Sequence, residues 1–180
     1  MRKCLGHILS GSLVEGLAMR LGSQGSLEDI KTGKFVSIVG EHYTFFSLIT
    51  DLELQVTNPD ILLFPPSEDE KILTSMLKKR DIYAKVMLRP MLMLDAEKHR
   101  MPVKTIPSHF AAVYEASASE VAEIFGDEQK DKKYFNIGFP LDMTTPVCMD
   151  LDLLVERSNG IFGKTGTGKT FITQIGRAHV

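Results

Sequence analysis

Tryptophan is missing from these 180 residues, and cysteine occurs only twice, at Cys4 and Cys148. The first absence has no bearing on class. The second excludes a disulfide framework and a cysteine-rich metal module. The two thiols lie far apart, match no pairing motif, and read as free, buried thiols of a reducing cytosol. The 5 histidines are scattered without ligand spacing, so no metal site is expected from them. Long apolar runs are also missing. The longest stretches, Ile61 to Phe64 and Met91 to Leu94, fall far short of the ~20 residues a membrane helix needs. Arg2 and Lys3 could open a signal peptide. However, His7 and Glu15 interrupt any apolar core, and no small-residue cleavage site follows. The chain is therefore read as cytoplasmic and not membrane-bound. Net charge is only −2, so no strong electrostatic footprint for nucleic acid is present in this part.

What is present is ordinary globular composition, 43% apolar and 24% charged. The length suits one medium domain plus a fragment of another. One motif stands out near the end: Gly163-Lys164-Thr165-Gly166-Thr167-Gly168-Lys169-Thr170. Its spacing is that of a phosphate-binding loop. Glycines let the backbone turn so that successive N–H groups face a β-phosphate. Lys169 can reach the β- and γ-phosphates as a point charge. The Thr170 hydroxyl can ligate the Mg²⁺ that bridges them. A helix starting here adds its positive end. The motif needs a strand before it and a helix after it. Asn159 to Phe162 is a short apolar run expected as a buried strand, and Thr170 to Ile175 is expected to continue as helix. A Gly/Thr-rich surface turn could share the composition without that context.

Residues 1 to 95 read as β. Cys4 to Leu9 and Leu13 to Leu21 are strand-like runs closed by Ser/Gly turns. Phe35 to Val39 and His42 to Asp51 are rich in β-formers. Tyr83 to Leu94 is a further candidate, in which Pro90 implies a bulge, an edge or two separate strands. Short strands at this spacing predict a small barrel or sandwich. Thr57 to Asp60 reads as a turn or helix start. Ser67 to Lys79 reads as a capped helix with Ser67 as N-cap and Glu70 at the third position. Asp51 follows an apolar run and is read as a strand-end cap rather than a magnesium ligand. Glu28-Asp29 is read as a turn rather than a carboxylate pair for acid–base work.

Residues 96 to 157 are mixed and read as a linker with a helix and strands. Ala116 to Phe125 is the helix, with Ser117 or Ser119 near its cap and Gly126 at its end. Asp127 to Lys133 is a charged surface loop, and Tyr134 to Phe139 a strand. Val147 to Val155 reads as extended, with Cys148, Leu151 and Leu153 or Leu154 as buried candidates.

The final hexapeptide, Ile175-Gly176-Arg177-Ala178-His179-Val180, breaks the helix it should extend, because Gly176 is a poor interior helix residue. It resembles the in-frame translation of a common sequencing adapter, ATC-GGA-AGA-GCA-CAC-GTC. Residues 175 to 180 are therefore expected to be a non-native tail, and Arg177 and His179 are not read as functional groups.

A β-rich domain, a linker with a helix, and then Glu156 to Phe162 running into the phosphate loop together resemble the start of the HerA family. Glu28 to Val36, Leu48-Ile49-Thr50-Asp51, Phe135 to Gly138 and Phe162 to Thr170 carry the likeness. Members resemble the FtsK translocases in their motor and carry an N-terminal barrel similar to that of rotary ATP synthases. The resemblance implies an α+β organisation: a barrel at 1–95, a linker at 96–157, and the first strand, loop and helix of an α/β nucleotide domain at 158–174. It implies a homohexameric ring that uses ATP and Mg²⁺ to move double-stranded DNA, with a nuclease as partner in end processing. Gly163 to Gly168 would supply backbone donors, Lys169 the phosphate lysine and Thr170 the magnesium ligand. The family's acidic magnesium-and-water motif, its sensor, its arginine and its DNA-contacting loops have no counterpart here. This sequence is therefore expected to be a C-terminally truncated, inactive fragment. ATP against GTP stays open, as does a different reading: the assembly barrel of another phosphate-loop NTPase that does not act on DNA.

Overall fold

A computed structural model describes residues 2–22, 26–63, 65–67, 69–140, 143–156, 158–160, 162–166, 168 and 170. Among these residues the main feature is a seven-stranded antiparallel sheet in the order β2-β1-β7-β3-β4-β5-β6. The strands are β1 (Cys4–Ser12), β2 (Gly16–Leu21), β3 (Phe35–Val39), β4 (Thr44–Val56), β5 (Ile82–Leu94), β6 (Arg100–Met101) and β7 (Ala112–Glu115). β2 also pairs with β5, from Leu17↔Leu88 to Arg20↔Lys85. The sheet therefore closes on itself, and only β6 stays outside the ring. Closure removes the exposed edges that an open sheet of this size would present.

Alternation along each strand gives the barrel its core. Val36 and Ile38 on β3, Phe45 and Ile49 on β4, and Val86 and Leu88 on β5 point into one buried cluster with Leu17, Met19 and Val113. The opposite face of β3 and β4 carries Phe35 and Phe46, whose rings lie 5.0 Å apart. These two form a second cluster with Val121 and Ile124 of the helix α2 (Ala118–Phe125). The wall made by β3 and β4 is thus apolar on both faces, one filled from inside the barrel and one covered by α2.

The strands expected at 35–39 and near 4–9 and 42–51 form. The stretch from Leu13 divides differently, because residues 13–15 are a turn and β2 begins at Gly16. β4 runs on past Asp51 to Val56. Asp51 is therefore not a strand end. It sits beside a bulge in the pairing with β5, between Ile49 and Asp51, and its Oδ1 accepts from the Leu52 amide at 2.8 Å. Pro90 does not divide β5. It lies at a second bulge, where Phe46 faces Leu92 and Ser47 faces Pro90. On its other side, the pairing with β2 has ended at Leu88 and that with β6 begins only at Met93. A residue without an N–H fits such a site without removing a ladder bond.

The insertion between β4 and β5 holds α1 (Lys71–Arg80). Ser67 does not cap it. Glu70 occupies the N-cap position, and its carboxylate turns back to accept from the Ser67 amide at 2.9 Å and hydroxyl at 3.0 Å. Glu28 and Asp29 lie in a short 3-10 turn that Ser26 caps.

The region expected as a linker contributes directly to the barrel: β7 lies between β1 and β3 and completes the ring. The fold is mostly sheet with a few short helices. None of the described helices is long and apolar enough to cross a membrane. Cys148 is buried, as expected. Cys4 is exposed at the start of β1, where successive side chains face opposite ways and its own faces out; neither thiol is paired.

Candidate nucleotide-binding site

The approach to the loop begins with a separate two-stranded sheet, β8 (Tyr134–Gly138) and β9 (Val147–Asp150). A two-stranded sheet is marginal in water on its own. This one rests on α2. Val147 and Met143 pack against the second core cluster. The Tyr134 ring lies over Gly126, the residue that ends α2 with φ 87°. A Cβ there would fall 2.2 Å from that ring, so both the backbone conformation and the close approach require glycine.

Beyond β9 the expected extended piece turns into α3 (Leu151–Glu156). The cause is Asp150, whose Oδ1 accepts from the Asp152 and Leu153 amides at 3.1 and 3.2 Å and so starts a helical turn. Of the candidates for burial, Leu151 and Leu153 are 36% and 52% exposed and the alternative Leu154 is half-buried, because a helix does not alternate them into a sheet face. Burial pushes the Asp150 carboxyl up. The Leu153 amide and the Lys133 ammonium 3.5 Å away outweigh it and hold the group below its usual value. The Asn159 side-chain amide donates to the Leu154 carbonyl, tying the segment before the loop to α3.

In the loop itself, Gly166 and Gly168 have φ of 85° and 80°. A Cβ at either would meet nothing within 4 Å. Glycine is therefore demanded here by the backbone conformation and not by crowding. Left-handed residues two apart are what allow successive N–H groups to converge on an anion. Thr170 opens helical backbone immediately afterwards, and Gly163 to Gly166, Gly168 and Thr170 all face solvent. Thr167 and Lys169, and the helix expected from 171 to 175, lie outside the described residues, as do Arg177 and His179. The strand expected at 159–162 is not present at Asn159, Gly160 or Phe162, and Phe162 is 94% exposed. The backbone at Gly166 and Gly168 thus has the positive φ expected of a phosphate-binding loop. Thr170, the residue expected to ligate a nucleotide-bound Mg²⁺, is exposed at that helix start. No cluster of three or more His, Cys, Asp or Glu side chains able to hold a metal by itself occurs among the described residues.

The supporting helix contains a group that the sequence reading passed over. Glu120 is a nearly buried carboxylate, 8% exposed. Its Oε2 accepts from the Ser117 amide and hydroxyl, both at 2.8 Å, while the Ser117 hydroxyl accepts from the Glu120 amide at 3.3 Å, completing a capping box. Its Oε1 accepts from the Ser37 hydroxyl at 2.9 Å and pairs with Arg2 at 2.7 Å. Burial pushes this carboxyl up, but the Ser117 and Ser37 hydrogen bonds and the Arg2 charge prevail and leave it below its ordinary value. The Ser-x-x-Glu spacing from Ser117 to Glu120 carries the capping signal in the sequence. The partners on Oε1 carry none, since Ser37 lies on β3 and Arg2 ahead of β1, both far from Glu120 in the chain.

The family model for the central domain of the helicase HerA matches residues 135–175, from β8 through the phosphate loop. No curated protein matches the chain. The matched range begins within β8, and the barrel ahead of it lies outside that range.

Proposed function

We propose that this chain belongs to a HerA-type ring ATPase. In this reading the barrel is the assembly module and the phosphate loop is the ATP site of a motor that moves double-stranded DNA. The observation that carries it is the left-handed pair Gly166 and Gly168 ahead of a helix start at Thr170, inside the segment matched to the HerA central domain. The ring closure of the sheet agrees with the barrel expected in front of such a motor. Backbone N–H groups from Gly163 to Gly168 would hold the β-phosphate, Lys169 would neutralise the β- and γ-phosphates, and Thr170 would take one magnesium position. Hydrolysis of ATP to ADP and phosphate would supply the free energy for translocation. A homohexamer in the cytoplasm, with a nuclease partner at DNA ends, completes the proposal. The second reading, an assembly barrel for an NTPase that does not act on DNA, draws on the barrel lying outside the matched range.

Amide NMR of the chain tests the site. Millimolar Mg-ATP should shift the Gly163, Gly166 and Gly168 amides, with affinity well short of micromolar because a lone loop lacks the parallel sheet that would hold it rigid. No shift in any of these glycines would remove the phosphate-loop reading. Equal shifts with Mg-GTP are expected as well, because every contact assigned to the loop is to phosphate or magnesium and none to the base.

A further inference from the structure

We infer that Glu120 is a pin that couples the barrel wall to the β8–β9 unit leading into the phosphate loop. The two carboxylate oxygens have separate duties. Oε2 serves the helix, closing the capping box with Ser117. Oε1 contributes nothing to the cap, because its partners are Ser37 on the barrel wall and Arg2 ahead of β1. The apolar contacts of Val121 and Ile124 on Phe35 and Phe46 hold α2 on the wall, but such contacts are non-directional and tolerate sliding. A buried carboxylate does not, because displacement strips its donors and leaves an unpaired charge in the protein. What depends on the position of α2 is β8–β9, whose Val147 packs on the α2 cluster and whose Tyr134 ring covers Gly126. Through Glu120, the N-terminal segment and β3 therefore set where the chain enters the nucleotide segment.

Hydrogen exchange on the 180-residue chain tests this without nucleotide, so its outcome is independent of the loop's ligand. Ser37→Ala and Arg2→Ala each remove a partner of Oε1 and leave the capping box intact. Each should speed exchange of the β8 and β9 amides about tenfold, the scale of one charge-assisted hydrogen bond. Amides of Met19, Val86 and Leu88 in the barrel should hold their wild-type rates. Ser117→Ala, the comparison, should act first on the opening turn of α2. Unchanged β8–β9 exchange in both Oε1 variants overturns the proposal. So does an effect confined to the first turn of α2, or a uniform rise across the barrel, which would make Glu120 a matter of general stability.

Discussion

Ser47 is the residue at which the barrel departs from its own rules. It is fully buried, and its hydroxyl has no hydrogen-bond partner among the described residues. The side chain points inward between Phe45 and Ile49, opposite Val36 on one side and Pro90 on the other. An unpaired buried hydroxyl costs free energy, and a methyl group in its place does not. Ser47→Ala should therefore raise stability by about 1 kcal/mol, read as a higher midpoint in urea with an unchanged slope. A lower midpoint would mean that the hydroxyl is satisfied by water inside the barrel. Residues whose roles are local were legible: Ser117 and Gly126 bracket α2 as their chemistry suggests. Residues whose roles depend on distant partners were not. Nothing near Ser37 in the chain indicates that its hydroxyl meets Glu120, 83 positions away.

Among the elements, α2 carries the clearest pH dependence. The Glu120 carboxyl sits below its ordinary value in the folded chain. A depressed value means that its contribution is complete above the unfolded carboxyl's value, about 4.3, and is lost as pH falls through the folded one. Glu120→Gln should cost about 1–3 kcal/mol at neutral pH, the scale for a disrupted buried hydrogen-bond set. It should also flatten the acid limb of the stability profile below about pH 4.3. An acid limb as steep as that of wild type would assign the effect to other carboxylates. Strand positions were readable from alternation and β-formers. Strand ends were not, because pairing with β5 carries β4 on to Val56. The helical turn of α3 escaped the periodicity because it depends on one side chain, Asp150, bonding two amides.

For the whole molecule, phosphoryl transfer requires several positioned charges. The family resemblance assigns only Lys169 and Thr170 here. The chain should therefore show no ATP turnover above background. Turnover that Lys169→Ala abolishes would show that these residues supply a complete site. Local sequence determined the backbone of the glycine-rich loop, since glycines spaced for left-handed backbone and a helix-opening threonine need only a few neighbouring residues. It likewise determined the strand content of the first half, since alternation is written along each strand. Tertiary structure alone decided that the sheet closes. That closure rests on β2 meeting β5 and on β7, from the expected linker, entering between β1 and β3. It also decided that β8–β9 rests on α2, and that the Glu120 carboxylate bonds both to its own helix start and to Arg2 and Ser37. The reason is one of range: backbone conformation and capping are satisfied within a few residues, whereas strand partners and buried charges are satisfied only across space.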